Sequence, residues 1–401
     1  MTDRPATTIP GDRTPVIVAA RRTPVGTAGH GLAGVDVIGL AAPVLAALNA
    51  DLAVLGVLGS AGSVDEVVLG NVMGPGGNPA RVAALAAGLG VGVSGVTVDR
   101  QCGSGQEAVH AGAAAVLAGS VDVVLAGGAE SASTAPTRFW PSVDGAPPVP
   151  YARAPFAPMG LGDPEMGPAA QDVADRCGVD RARQDAYALR SHRLTVAAAD
   201  AGAFDAELVP VGGLTLDERP RPRLRADLLA RLPGAFTEGG SVTAGNSCGV
   251  SDGAAAVALV PDHVRADRGL PGLAVRGWVA RGVDPRFPGL GPVPAVRALL
   301  ERTGTALDDV AVLEVTEAFA AQVLACTDQL GLDPLASDGD RVCPQGGAIA
   351  LGHPWGASGA LLLVRLFSQL VRTDVPSGTL GLATCAVGGG QGLAVLVERV
   401  G

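Results

Sequence analysis

Short runs of apolar and β-branched residues alternate along this chain with longer segments rich in Ala and Leu, and this alternation restricts the folds open to it. Runs such as VIVAA, DEVVLG and DVVLAGG have the composition of buried strands. The segments DVIGLAAPVLAALNADLAVLG and QEAVHAGAAAVLAG combine helix formers with apolar residues at helical spacing. Strand–helix–strand alternation predicts an α/β fold in which helices pack on a sheet.

Between residues 132 and 242 the amino-acid composition differs from that of the flanking segments. This part is dense in Pro and Gly, then helical and charged, and it ends in TLDERPRPRLRADLLARLPGAF, which carries five Arg. A long irregular insertion in an α/β core usually shapes a substrate site. Gly-rich corners that feed Ala- and Leu-rich helices occur on both sides of it, which hints at an internal duplication. We therefore predict an N-terminal half (residues 1–131 and 243–270), an inserted domain that covers the substrate (132–242) and a C-terminal half (271–401).

Charge and hydropathy exclude several classes of function. The chain has 39 acidic residues against 29 basic ones, all of them Arg, and a net charge of −10. This balance argues against a nucleic-acid-binding protein, and the absence of Lys excludes Schiff-base catalysis. The N-terminal MTDRPATTIPGDRTP is polar, and we find no uninterrupted apolar run of about 18 residues, so we expect neither a targeting segment nor a membrane span.

The six cysteines are scattered and form no CxxC pair, which argues against a zinc site and against a disulfide framework. They are Cys102, Cys177, Cys248, Cys326, Cys343 and Cys385. We expect a soluble protein of a reducing, cytoplasmic compartment that binds no metal.

Cys102 lies at a corner between the strand-like VSGVTVD and the helical QEAVHAGAAAVLAG. Two explanations compete for such a thiol: a small hydrophobe buried at a tight corner, or a nucleophile. The N-terminus of a helix lowers the pKa of a thiol and favours the reactive thiolate. Gly103 and Gly105 are expected to leave room for an acyl group and to expose N–H donors to a developing oxyanion. Taken alone, these residues leave both explanations open.

Histidine is scarce, and one of the five stands out. His353, in GGAIALGHPWGASGA, is crowded by glycines, as is typical where backbone approaches another group closely. Its ordinary pKa suits a base toward a thiol, although a buried histidine bonded to a carbonyl is the favoured explanation of this residue taken alone. His110 lies inside the Cys102 helix, and the charged surroundings of His192 and His263 predict exposure. The run CAVGGGQG lies between strands, which favours a glycine loop that supplies N–H groups to a catalytic site over a nucleotide loop.

Motifs along nearly the whole chain resemble those of the thiolase family, the acyl-CoA C-acyltransferases that form or cleave 3-ketoacyl-CoA. In chain order they are VIVAARRTPVGT, GNPAR, CGSG, AGGAES, RQDAYALRSH, DERPRPR, TAGNSCGVSDGAAA, EAFAAQ, GGAIALGHPWGASGA and GGGQG. The resemblance implies two similar halves layered as αβαβα, an inserted loop domain, and a homodimer or homotetramer. It also implies a ping-pong mechanism in which Cys102 accepts the acyl group and His353 takes the thiol proton and helps to form an oxyanion hole. The acyl group then passes to CoA in thiolysis or to an acyl-CoA carbanion in Claisen condensation.

Three positions depart from the family pattern. Thr316, in TEAFA, replaces an Asn that holds an oxyanion-hole water, and its hydroxyl is expected to bind that water with different geometry. Cys248, in GNSCG, replaces a Ser that bonds the pantetheine arm, and a thiol is a poorer partner. The family's second catalytic cysteine, which moves the α-carbon proton, aligns with Ala386, while Cys385 lies one residue earlier. A shift of one residue on a strand reverses the side chain, so Cys385 takes that role only if a bulge re-aims it.

For coenzyme A, the resemblance implies a contact at Arg221, with Arg219 nearby, and contacts at Cys248 and Ser251. CoA is expected as a substrate or product rather than a permanently bound cofactor, and a carrier-protein thioester is an alternative donor. The sequence thus predicts an acyltransferase that forms an acyl-enzyme on Cys102. Two alternatives stay open: acyl transfer or hydrolysis without the carbon–carbon step, and a catalytically silent homologue.

Overall fold

The computed structural model describes residues 12–58 and 62–401. These residues form both strands and helices, as the alternation in the sequence predicts. The strands are β1 (Pro15–Arg22), β2 (Gly26–Thr27), β3 (Glu66–Gly70), β4 (Ser94–Val98), β5 (Val124–Ser131), β6 (Arg138–Trp140), β7 (Val149–Tyr151), β8 (Ser251–Pro261), β9 (Gly272–Gly282), β10 (Val310–Val315), β11 (Leu380–Val387) and β12 (Gln391–Val400). The helices are α1 (Val37–Leu55), α2 (Pro79–Ala86), α3 (Ser104–Ala118), α4 (Met166–Cys177), α5 (Arg181–Asp200), α6 (Ala226–Leu229), α7 (Asp262–Ala266), α8 (Pro292–Thr303), α9 (Ala320–Leu330), α10 (Ala348–Leu351) and α11 (Trp355–Phe367).

A mixed sheet organises the molecule, with strand order β10-β11-β12-β9-β1-β8-β5-β3-β4 and β2 beside β8. The pairs β10–β11, β3–β4 and β3–β5 are parallel, and the strands between them pair antiparallel. Strands β1 and β9 pair only where Val16 faces Ala274 and Ile17 faces Leu273. The sheet therefore divides into two halves at this short junction.

Helices cover both halves of the sheet and fill the space between them. One hydrophobic cluster joins α3 and α11 to strands of both halves, for example Val109 and Leu363 with Val257 and Val395. A second cluster packs α1 and α2 on the outer face of the first half, and a third packs α8 and α9 on the second half. This α–β–α–β–α order confirms the predicted fold class.

Helix α1 is long and apolar enough, by length and composition alone, to cross a membrane. It has 19 residues, and its most apolar 18-residue stretch has a mean hydropathy of 1.9. Asn49 and Asp51 interrupt its apolar residues, so the helix is not the uninterrupted apolar run sought in the sequence. Leu40, Leu45, Leu48 and Leu52 of this helix are buried against the first half of the sheet. The structure thus uses the apolar face of α1 in the core.

A buried cluster of charges ties the predicted insertion, residues 132–242, to the core. Arg22 of β1 donates to Glu207 (2.6 Å) and to Asp217 (2.6 and 2.8 Å), and Arg365 of α11 also donates to Glu207. Both arginines and Glu207 are almost completely buried. Because each charge has an opposite partner, the cluster holds the insertion on β1 and α11 without leaving a buried ion unpaired.

Candidate active site

Cys102 lies on a 3₁₀ turn, Gln101–Gly103, that joins β4 to α3. Ser104 fixes this turn, since its hydroxyl donates to the carbonyl of Gln101 (2.6 Å) and accepts from the N–H of Arg100 (2.8 Å). Gln101 has a φ of 41°, which is uncommon for a residue with a side chain and marks a constrained corner. The predicted strand-to-helix corner at Cys102 is confirmed.

Glycines let this corner approach α11. A Cβ on Gly105 would lie 2.7 Å from the carbonyl oxygen of Gly356, and a Cβ on Gly128 would lie 1.8 Å from the same oxygen. A Cβ on Gly103 would lie 2.8 Å from the side chain of Leu393. The expectation that Gly103 and Gly105 make room for an acyl group is therefore wrong, because both positions are filled by protein. Gly105 lets α3 approach α11, and Gly103 lets the turn approach Val387 of β11 and Leu393 of β12.

His353 is oriented by Ser358, one turn into α11. Its Nδ1 lies 2.6 Å from Ser358 Oγ, which in turn lies 2.9 Å from the carbonyl oxygen of Pro354. A carbonyl only accepts, so the single serine proton goes to Pro354 and the hydrogen on Nδ1 of His353 is donated to Ser358. Nε2 is then the unprotonated nitrogen, and it has no partner among the described residues. This arrangement provides a base rather than a histidine bonded to a carbonyl.

Cys102 and His353 line one pocket of about 460 Å³, which we call the Cys102 pocket. Apolar side chains dominate its wall, including Phe156, Met166, Phe236, Phe319 and Trp355. Several of these belong to the inserted range 132–242, which therefore forms one side of the pocket. A largely apolar cavity with a few convergent polar groups is typical of a site for a small substrate.

Burial sets the protonation of both reactive groups. It raises the pKa of the Cys102 thiol to about 12, although the backbone N–H groups of Cys102 and Gly388 bond to the sulfur and lower this value in part. The expectation that the helix N-terminus gives a low pKa is therefore wrong, because the loss of hydration outweighs the backbone N–H groups that favour the thiolate. Burial also lowers the pKa of His353 to about 4. The resting pair is a neutral thiol and a neutral imidazole.

Comparisons with known proteins decide the family. The models for the thiolase N-terminal domain and the thiolase C-terminal domain match residues 15–263 and 270–399. The chain is 41% identical over 402 residues to an acetyl-CoA acetyltransferase of Pseudomonas aeruginosa, covering 96% of this chain and 99% of the relative. It is also 41% identical over 411 residues to a beta-ketoadipyl-CoA thiolase of Pseudomonas putida, with the same coverage. A crystal structure of the Bacillus anthracis acetyl-CoA acetyltransferase matches with a TM-score of 0.85 at 35% identity, over 96% of this chain and 99% of that one.

The chain belongs to the thiolase family. The resemblance seen in the motifs is confirmed, and the protein is an acyltransferase. Thiolytic cleavage or Claisen condensation fits this membership.

The position that the motif resemblance assigns to the family's second catalytic cysteine is occupied by Ala386 in this thiolase. Strands β11 and β12 pair in unbroken register, with Cys385 opposite Leu393, so no bulge re-aims the thiol. Ala386 lines the Cys102 pocket, whereas Cys385 is fully buried against Val387 and Leu393. The candidate catalytic role of Cys385 is therefore not supported by its position.

Two further predicted residues lie outside the pocket of this thiolase. Thr316 lines a separate small cavity together with Ser358, and its Oγ1 is buried. Ser251 is buried, donates to the carbonyl of Gly249 (2.7 Å) and accepts from the N–H of His353 (3.2 Å). The structure thus places neither Thr316 in the pocket as a holder of oxyanion water nor Ser251 there as a CoA contact. Ser251 instead fixes the backbone of His353 through this hydrogen bond.

The predicted CoA-binding region is cationic. Cys248 lines the pocket, and the guanidinium of Arg219 packs against the neighbouring Gly249, where a Cβ would lie 2.1 Å from Arg219 Nη1. Neither Arg219 nor the exposed Arg221 forms a salt bridge with a described residue, and Arg219 Nε is buried without a partner. The backbone N–H of Arg221 donates to Nδ1 of His192 (3.3 Å). The predicted exposure of His192 is wrong, and burial together with the two arginines lowers its pKa to about 4.

The charges that line the pocket neutralise each other. Arg153 bonds to Glu165 (3.0 Å) through Nε and to Asp163 (3.0 Å) through Nη1, and its Nη2 donates to the carbonyls of Asp163 and Pro164. No unpaired cation from the described residues therefore faces the Cys102 pocket.

Within residues 12–58 and 62–401 no group of His, Cys, Asp and Glu side chains is arranged to hold a metal, and the six cysteines are free.

Sequence reasoning missed two residues that hold the site together. Ser358 fixes the tautomer of His353. The signal in the sequence that could have identified it is a serine five residues after the histidine, in the first turn of the following helix. Glu130 accepts N–H groups from Val72 (3.2 Å), Met73 (3.0 Å) and Gly356 (3.0 Å), which ties a pocket loop to α11. Its partners are backbone groups of distant segments, so no local pattern reveals it.

Proposed function

We propose that the protein exchanges acyl groups between 3-ketoacyl-CoA and CoA through a thioester on Cys102, with His353 as the base. One observation carries this proposal: a single pocket holds the Cys102 thiol, the unprotonated Nε2 of His353 and the N–H groups of Cys102 and Gly388 that face the sulfur. Donors in this position suit the negative oxygen that forms when the sulfur attacks a carbonyl.

The single base suffices for thiolysis. The Cys102 sulfur attacks the 3-keto carbon while Nε2 of His353 takes the thiol proton. The bond between this carbon and the α-carbon breaks, and the imidazolium returns the proton to the α-carbon of the departing acetyl-CoA. The thiol of a second CoA then gives its proton to His353 and attacks the acyl group, and the released Cys102 recovers that proton. The reverse sequence is condensation, and each proton is accounted for without a cysteine at position 386.

Intact-protein mass spectrometry with acetoacetyl-CoA tests this proposal. We expect an acetyl adduct that CoA discharges with formation of acetyl-CoA, and we expect its loss in Cys102→Ala. Cys385→Ser and Cys248→Ser are matched controls, since each removes a thiol but leaves Cys102 in place. An adduct that persists in Cys102→Ala would contradict the assignment.

Ala386 favours a second candidate function, in which the acyl group on Cys102 passes to water or to another nucleophile without the carbon–carbon step. Exchange of the α-protons of acetyl-CoA in deuterated water separates the two. The first function predicts exchange that depends on His353 and increases in Ala386→Cys. The second predicts that simple acyl-CoA thioesters load Cys102 while acetoacetyl-CoA stays uncleaved. Loss of exchange in Cys248→Ser with the acyl-enzyme intact would assign proton abstraction to that thiol.

We infer that the preferred acyl group is neutral. The guanidinium of Arg153 is occupied by Asp163 and Glu165, so a distal carboxylate would enter an apolar pocket without a free cation to pair with. We expect acetoacetyl-CoA to be cleaved with a higher kcat/KM than beta-ketoadipyl-CoA, the substrate named for one relative. The opposite order would refute this assignment.

We also propose that Arg219 and Arg221 bind the phosphates of CoA, since guanidinium groups that form no salt bridge with the described residues suit phosphate oxygens. Arg219→Ala and Arg221→Ala should raise KM for CoA and leave kcat nearly unchanged. Arg225→Ala is the matched control, because Arg225 is an exposed arginine of the same segment already paired with Asp227 (2.8 Å). Equal KM values in all three variants would contradict this role.

We propose that the protein is a homo-oligomer through the open edge of the sheet. Among the described residues, strand β4 pairs with β3 alone, and the adjoining Val82, Leu85 and Val96 are 44%, 44% and 42% exposed. An unpaired edge with exposed apolar residues suits pairing with a second copy. Light scattering should show a smaller particle for Val96→Lys than for the parent protein, and no change for Leu216→Lys in the inserted range.

A further inference from the structure

A small cavity lies on the Nδ1 side of His353, and we call it the Thr316 cavity. Its polar lining consists of Glu314, Thr316, Ser358 and Arg365, and backbone around Gly347 and Gly352 completes the wall. These four side chains are at most 4% exposed. The volume of about 10 Å³ is enough for one water molecule.

Two of the groups in this wall lack a hydrogen-bond partner among the described residues. They are Oγ1 of Thr316 and Nη2 of Arg365, both buried. The neighbouring Glu314 accepts from Gln369 (2.6 Å) through Oε1. Buried polar groups in proteins are nearly always hydrogen-bonded to protein or to ordered water. The cavity therefore combines unmet donors, a carboxyl group and room for one small polar molecule.

We propose that the Thr316 cavity binds one water molecule, and that Thr316 and Glu314 are positioning residues that act on His353 through this water and Ser358. The hydrogen-bonding capacities match: the water accepts from the Thr316 hydroxyl and from Arg365 Nη2, and it donates to the Glu314 carboxyl group and to Ser358 Oγ. Ser358 has one lone pair available for this bond, because the other accepts from Nδ1 of His353 and its proton goes to Pro354.

The water stabilises the charged form of the base. When Nε2 of His353 takes the proton of Cys102, positive charge spreads to Nδ1–H and strengthens its bond to Ser358. A water that donates to Ser358 and is held by Thr316 and Glu314 keeps the serine lone pair directed at Nδ1. Thr316 thus acts from the side of the histidine away from Nε2, and not as an oxyanion-hole ligand. This inference rests on the proposed role of His353.

The variants Thr316→Val and Thr316→Ser test the proposal, since both keep the size of the side chain close to native and only the first removes the hydroxyl. For thiolysis of acetoacetyl-CoA we expect Thr316→Val to lower kcat about tenfold with KM within about twofold, and Thr316→Ser to stay near the parent protein. Glu314→Gln should lower kcat in the same way. A Thr316→Val enzyme with the kcat of the parent protein would overturn the proposal.

Two measurements do not depend on turnover. A crystal structure of the parent protein should show one ordered water between Thr316 and Ser358, and Thr316→Val should lose it. Nitrogen-15 NMR should report a hydrogen on Nδ1 of His353 in the parent protein, and the Nδ1 signal should shift in Thr316→Val because the bond from Nδ1–H to Ser358 weakens. A dry cavity, or an unchanged Nδ1 signal of His353 in Thr316→Val, would refute the proposal. Failure of Cys102 to form an acyl-enzyme would instead refute the proposed function while leaving these two readouts to decide the water site.

Discussion

Lowering the pH from about 7.5 to about 5.5 tests whether burial keeps His353 available as a base. Burial lowers the pKa of this residue from 6.5 to about 4. At pH 5.5 a histidine of pKa 6.5 is about 9% neutral, whereas one of pKa 4 is about 97% neutral. Only the neutral ring takes the proton of Cys102, so acylation should keep nearly all of its rate rather than lose about tenfold. The Cys102 thiol, with its pKa raised to about 12, stays protonated over this range.

Single-turnover acylation by acetoacetyl-CoA, quenched and followed by mass spectrometry, measures this rate. We expect a flat profile from about pH 9 to about pH 5 and a fall to half near pH 4. Circular dichroism at each pH controls for unfolding, because the unfolded chain takes up a proton on this histidine at higher pH than the folded one. That linkage removes up to about 3 kcal/mol of stability as the pH falls from 6.5 to 4, and none above 6.5. Loss of half of the acylation rate between pH 6 and 7, with the fold intact, would show that burial does not lower the pKa of His353.

Three substitutions test other parts of the structure. Ser358→Ala should lower kcat about 10- to 100-fold with little change in KM, because the base loses its fixed tautomer; unchanged steady-state kinetics would contradict this. Gly128→Ala places a Cβ 1.8 Å from the carbonyl of Gly356 and should lower both Tm and kcat, whereas Gly34→Ala, with open space around its Cβ, should alter neither. Glu207→Gln leaves the buried guanidinium of Arg365 without a charged partner, while Arg22 keeps Asp217, and should cost about 3–5 kcal/mol in urea unfolding; a loss below about 1 kcal/mol would show that the cluster is not structural.

The class of fold and the two candidate reactive residues, Cys102 and His353, were accessible from the sequence. Strand and helix periodicity are local properties, so the alternation around Cys102 predicted the strand, the corner and the helix that the structure contains. The motifs around Cys102 and His353 predicted the family, which the comparisons confirm. The sequence also showed that Cys385 lies one residue earlier than the family's cysteine when the two are aligned on the glycines, because such an offset can be counted along the chain.

The tertiary structure decided protonation, orientation and contact. The pKa of Cys102 depends on how far other segments exclude water from it, and a helix N-terminus alone gives the opposite direction. Whether Cys385 or Ala386 faces the pocket depends on unbroken pairing with β12. Thr316 directly follows β10, and because this end of β10 packs against α11, Thr316 lines the Thr316 cavity and not the Cys102 pocket. These properties arise from segments far apart in the chain, and no local pattern contains them. The sequence by itself indicated Cys102 and His353 as the candidate reactive groups, and packing determined their protonation and their orientation toward each other.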